Sequence, residues 1–144
     1  MSRDFNKNKV AVLTGAAKKI ARSTAIKLAE QGFNILIHTG GKSIEEAKDT
    51  IKLLEKFKIK SNYVIGDLSN LETINIIKDA ALKLGTPSVL VNNAGLRIHE
   101  HFEKIDYKDW KKVMTVNVDA SFLCAQALIN YMVKQKWGRV INIG

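Results

Sequence analysis

At 144 residues and 46% hydrophobic, the chain has the size of one ordinary domain with a sizeable core. No uninterrupted apolar run reaches the roughly 20 residues of a bilayer span, and residues 1–7 lack the apolar centre of a secretory leader. The formal charge is +9, yet the lysines are scattered and the aromatics do not interleave with them, which argues against a nucleic-acid partner. The lone Cys124 allows no internal disulfide and fits a reducing, cytoplasmic setting; its apolar context reads as a buried small hydrophobe.

In chain order, five apolar runs predict strands at 9–14, 33–38, 62–66, 89–92 and 139–143. They are rich in Val, Ile and Leu without polar alternation, as strands buried on both faces should be. Between the first two, Ile20, Thr24, Ala25 and Leu28 form a helical stripe. Ile44, Ala47, Ile51 and Leu54 form a second, and Leu71, Ile74, Ile77, Ala81 and Leu84 a third. Residues 107–136 make a long helical pattern with one apolar side through Trp110, Val113, Met114, Phe122 and Leu128. Gly32, Gly85 and Gly138 are expected at helix ends, and Pro87 just ahead of the fourth strand. Alternating strands and helices predict an α/β fold, a parallel sheet with helices on both faces, in one domain spanning 1–144.

In such a sheet, ligands bind at the carboxyl ends of the strands. Thr14 and Gly15 follow the first strand, His38 to Ser43 the second, Asp67 the third, and Asn92 to Gly95 the fourth. The first turn opens a helix with Lys18 and Lys19, and cations there oppose the macrodipole by roughly 0.3–1 kcal/mol each. An anion between them and the helix end resolves that conflict. The alternative is two solvated lysines on an ordinary helix start.

These clusters resemble the short-chain dehydrogenase/reductase family over nearly the whole chain. The residues carrying the resemblance are Thr14-Gly15-Ala16-Ala17-Lys18-Lys19-Ile20-Ala21, Asp67, Asn92-Asn93-Ala94-Gly95 and Asn117. The Asn-Asn-Ala-Gly run is the specific mark. The resemblance implies a Rossmann-type, doubly wound sheet and a dinucleotide lying along its edge. Thr14, Gly15, Lys18, Lys19 and Ile20 of the first turn are placed with the cofactor residues. Asp67 and Leu68 would meet the adenine, and Asn93, Ala94 and Gly95 the ribose region. Lys19 stands where the family has its second glycine; a close main-chain approach there requires a negative φ.

Between cofactors, the second-strand loop decides. The unphosphorylated cofactor usually finds an acid there for its ribose hydroxyls. Residues 37–43 contain none, and the nearest acids in sequence are Glu30 and Glu45. Lys18, Lys42 and Ser43 would attract a 2′-phosphate, so NADP(H) is the expected cofactor. His38 is placed with the cofactor residues, although a structural role suits it equally.

Asn117 lies mid-helix, where an amide competes for backbone bonds, and predicts a kink or a bound water. The resemblance gives it a catalytic part, holding water that leads to a lysine. Asp67 also reads as a helix cap, although Ser69 or Asn70 sits closer to the helix start, and Asn92 and Asn93 read as sheet-edge partners of Thr14. His99 and His101 lack a third ligand, so no metal is expected.

The resemblance also implies a serine after the fifth strand and a later Tyr-x-x-x-Lys pair, which this sequence does not contain. Tyr107 and Lys111 have the spacing but precede Asn117, and are rejected. The expectation is the N-terminal portion of a longer NADPH-dependent carbonyl reductase, similar to 3-oxoacyl-carrier-protein reductases, acting on a small-molecule substrate. Pteridine reduction is the runner-up, favoured by Lys18 and Lys19 and weakened by Gly95 and Leu96. A half-length, catalytically inert nucleotide-binding module is a further reading. A homo-oligomer, dimer or tetramer, is expected through helix 107–136 when full length, with no membrane contact.

Overall fold

The computed structural model describes residues 3–144. The elements run α1 Arg3–Asn6, β1 Lys9–Leu13, α2 Lys19–Glu30, β2 Asn34–Thr39, α3 Ile44–Leu54, β3 Ser61–Ile65, α4 Leu71–Leu84, β4 Thr86–Asn92, α5 Tyr107–Met114, α6 Ala120–Lys134 and β5 Arg139–Asn142. All five expected strands form, with ends unmoved or moved by up to three residues. They build one parallel sheet of order β3-β2-β1-β4-β5. Strand order therefore reverses between β1 and β4, and the carboxyl ends of those strands open a crevice.

Side chains alternate across the pleat, so β1, β2 and β4 each feed two cores; β3 adds Val64 to one and half-buried Tyr63 to the other, and β5 is exposed along its length. Ala11, Leu13, Ile35, Ile37, Val89 and Val91 meet Ala21, Ala25 and Ala29 of α2 and Ala47 and Leu54 of α3. On the other face Val10, Val12, Leu36, Val64 and Leu90 meet α4 through Ile74, Ile77 and Ala81, and α6 through Cys124, Leu128 and Met132. The alanine row of α2, one residue per turn, brings the helix close to the sheet. Of the expected stripe, Ala25 is buried and Leu28 packs against the same core, but Ile20 is 66% exposed and lines the crevice. Burial pushes the Cys124 thiol up to about 11, as a packing residue should behave.

Several expectations fail locally. Pro87 lies inside β4 rather than ahead of it, paired with Val10 where the β1 register shifts, and a bulge is where a central strand tolerates proline. Gly138 does not end α6. Lys136 takes the left-handed position (φ 56°), and Trp137 N–H donates to Met132 O at 3.1 Å. Trp110 and Phe122, expected inside, are 50% and 62% exposed. A π-turn at Thr115–Asp119 inserts a residue and rotates α5 by about 100° against α6. Phe122 then lies two residues, about 200°, from the buried Ala120.

By length and composition, the continuous stretch Tyr107–Lys134 is long and apolar enough to cross a bilayer, contrary to the reading from uninterrupted runs. Charged residues interrupt it, which hid that property. Its inner seam of Ala120, Cys124, Leu128 and Met132 is buried against the sheet and α4. The outer side carries exposed Trp110, Val118, Phe122, Ile129 and Val133.

Candidate functional site

Thr14 continues the β1 ladder, donating its N–H to Val91 O at 3.0 Å. Its buried hydroxyl oxygen accepts from Asn93 N–H at 3.1 Å and Ala94 N–H at 3.0 Å. Thr14 thus lies behind the crevice wall and ties the β4 turn to the β1 turn. Gly15 follows at φ 61°, and a Cβ there would sit 2.8 Å from Ala94 Cα. Asn93 Nδ2 closes the join by donating to Thr14 O and Gly15 O, each at 3.2 Å. Asn92, expected alongside it on Thr14, donates instead to Ser121 O at 3.2 Å and Asn142 Oδ1 at 2.9 Å.

The join walls a cavity of about 850 Å³ at the carboxyl ends of the strands. Every expected cofactor residue except Thr14 lines it: Gly15, Lys18, Lys19, Ile20, His38, Lys42, Ser43, Asp67, Leu68, Asn93, Ala94 and Gly95. Missed were Thr39, Gly40, Gly41, Ile65, Gly66, Leu96, Lys112 and Val116. Gly40 and Gly41 offer no side-chain chemistry to read. Lys112 and Val116 stand one helical turn apart, and that spacing beside Asn117 was the available signal.

The turn into α2 fits an anion. Lys18 is extended (φ −152°), the first N–H groups of α2 have no side-chain cap, and Lys18, Lys19 and Ile20 at that start line the cavity. Lys19 has φ 55°, not the expected negative value. The backbone keeps the left-handed path of a glycine, and lysine bears a strain of roughly 1–2 kcal/mol there. The acid nearest this rim in space is Glu46, not Glu30 or Glu45: its Oε1 lies 3.3 Å from Lys18 Nζ. Glu30 and Glu45 instead pair with Lys27 and Lys48, each at 2.8 Å.

His38 lines the cavity but is itself buried as a strut. Its Nδ1 receives Gly15 N–H at 3.4 Å and its Nε2 faces Gly66 O at 3.0 Å. These partners assign the neutral ring with its proton on Nε2. Burial pulls the imidazole below its ordinary range, outweighing the Gly66 carbonyl and the Asp67 charge. Below about pH 6.5 the unfolded chain gains a proton that the folded chain refuses, so stability falls on acidification from there to the lowered folded value. The slope is at most about 1.4 kcal/mol per pH unit. Urea unfolding at pH 7 and 5.5 should show this loss in the native chain and a smaller one in His38→Gln; equal slopes would exclude the strut.

Asp67 Oδ1 accepts from Ser69 N–H at 2.9 Å and Ser69 Oγ at 2.8 Å, which hold its carboxyl below the usual range. The cap of α4 is Asn70, whose side chain accepts from Glu72 N–H, so the capping alternative for Asp67 falls away. Asn117, in the π-turn, lies behind the wall: its Oδ1 accepts from Leu96 N–H at 2.7 Å and its Nδ2 donates to Leu96 O at 3.0 Å. The α-helical geometry gives way there to the π-turn Thr115–Asp119. Among the described residues, no group of three or more His, Cys, Asp or Glu is arranged to hold a metal ion.

The strand order, crevice and turn sequences define a Rossmann-type α/β protein. The family model for short chain dehydrogenase matches residues 9–144, and the chain belongs to that family of oxidoreductases. It is 39% identical over 136 residues to the uncharacterized oxidoreductase YohF of Escherichia coli K12, covering 93% of this chain and 53% of that one. Against the 3-oxoacyl-[acyl-carrier-protein] reductase FabG of Staphylococcus epidermidis it is 34% identical over 142 residues, covering 94% and 56%. The crystal structure of acetoin dehydrogenase YohF from Salmonella typhimurium superposes with a TM-score of 0.87 at 36% identity, covering 94% and 54%. The chain spans about half the length of the curated relatives it matches.

Proposed function

We propose that residues 1–144 form the dinucleotide-binding unit of an NADPH-dependent carbonyl reductase. The observation that carries this reading is the cavity rim. Lys18, Lys19, Lys42 and Ser43 meet there beside the uncapped start of α2, and residues 37–43 supply no carboxylate. Lysines serve a 2′-phosphate as point charges, whereas an acid would serve a free ribose hydroxyl. Gly15 lets the main chain come close, and Ile65, Leu68 and Val116 offer apolar walls for a ring. The nicotinamide cofactor, when bound, supplies hydride chemistry. This chain's residues bind it, orient it and exclude water. Asn117 enters as a positioning residue: with one lone pair and one N–H on Leu96, its amide retains one of each for a water.

The relatives named for reduction of a 3-oxoacyl group and for acetoin support a small carbonyl substrate. We place the protein in the cytoplasm as a homo-oligomer joined through the apolar outer side of Tyr107–Lys134, where Trp110, Phe122 and Val133 stand exposed.

Titration with NADPH and NADH tests the cofactor assignment. Reversing Lys18 and Lys42 to Glu should weaken NADPH about tenfold to a hundredfold, as expected for lost charged hydrogen bonds, and leave NADH nearly unchanged. Equal affinity for both cofactors before mutation would exclude it.

A further inference from the structure

We propose that Glu46 limits the preference of this cavity for a 2′-phosphorylated dinucleotide by competing with the phosphate for Lys18. The inference rests on the cofactor reading above and names the residue that tunes it. Lys18 lies on the cavity rim, while Glu46 stands in the first turn of α3, outside the lining. Their side chains are 51% and 39% exposed and join at 3.3 Å. So exposed a pair is weak and opens without stranding a buried charge.

The carboxylate stays within reach of Lys18, because the backbone that carries it is pinned to the phosphate turn. Glu46 O accepts from Arg22 Nη2 at 2.8 Å and from Thr50 Oγ1 at 2.9 Å. Arg22 Nε also donates to Ala17 O at 3.0 Å, and Thr50 Oγ1 lies 2.8 Å from the same carbonyl. One brace of Arg22 and Thr50 therefore ties Ala17, the residue before Lys18, to Glu46. Glu45 is occupied by Lys48, leaving Glu46 as the carboxylate that meets Lys18.

A 2′-phosphate carries roughly −1.5 to −2 charges at neutral pH, against one for the carboxylate. It therefore wins Lys18, but must first break the pair with Glu46. A nucleotide without that phosphate leaves the pair intact. The acid consequently acts on one ligand and not on the other.

Calorimetric titration with 2′,5′-ADP and 5′-ADP tests this directly. Glu46→Gln keeps the side-chain size and the main-chain brace. It should tighten 2′,5′-ADP about two- to fivefold, the scale of an exposed ion pair, and leave 5′-ADP unchanged. In a Lys18→Met background the same substitution should give no gain. Unchanged or weaker 2′,5′-ADP binding, a gain shared by both nucleotides, or an equal gain without Lys18 would each overturn the proposal. A preference present in the parent chain and larger in Glu46→Gln would uphold it. No preference in either protein would overturn the cofactor reading together with it.

Discussion

Replacing Gly15 by Ala should abolish dinucleotide binding and lower stability by about 2–5 kcal/mol. Two independent effects add. At φ 61° any side chain enters the left-handed region, at a cost of about 1–2 kcal/mol. The new Cβ also meets backbone rather than a flexible side chain: Ala94 Cα at 2.8 Å and Ala94 N at 3.2 Å. Forcing them apart adds roughly 1–3 kcal/mol and opens the join on which the cavity wall depends. Urea unfolding and nucleotide titration of the same preparation measure both losses. A variant within about 0.5 kcal/mol of the parent that still binds nucleotide would show that the two turns need not touch.

Thr14→Val should be as damaging for the opposite reason, since it adds nothing and removes one acceptor. The hydroxyl oxygen receives two main-chain N–H groups, from Asn93 and Ala94. Valine fills the same space but leaves both donors unpaired, at about 1–3 kcal/mol each, or roughly 2–6 kcal/mol together. Thr14→Ser keeps the acceptor and should stay close to the parent. Amide exchange at Asn93 and Ala94 should accelerate in the valine variant alone. Valine and serine variants of equal stability would exclude the role given to the hydroxyl.

Much of the fold was legible because it follows from local pattern. Five runs of Val, Ile and Leu without polar alternation announce parallel strands, and all five pair. Only β1, β2 and β4 are buried as expected, while the edge strands β3 and β5 are largely exposed. The cluster after each strand was legible too, since parallel strands put their carboxyl ends on one edge, and twelve expected cofactor residues line one cavity. The failures came where a local rule met a distant partner. Ile20 was read as core from helical spacing, but the alanines of α2 pack closer to the sheet. Trp110 was read as inward at constant period, and the π-turn at Thr115–Asp119 breaks that period.

Residue order alone thus settled the α/β class, the strand positions and the edge on which polar chemistry gathers. Each of these depends on periodicity or on the direction of a strand, properties carried by neighbouring residues. Only the tertiary structure decided what each polar side chain is committed to. His38 is a strut between Gly15 and Gly66, Asn117 grips Leu96, and Glu46 rather than Glu45 answers Lys18. These partners lie 21 to 28 residues apart in sequence. They meet because right-handed crossovers bring successive strand ends together, and spacing along the chain carries no record of which side chains then fall within a hydrogen bond of one another.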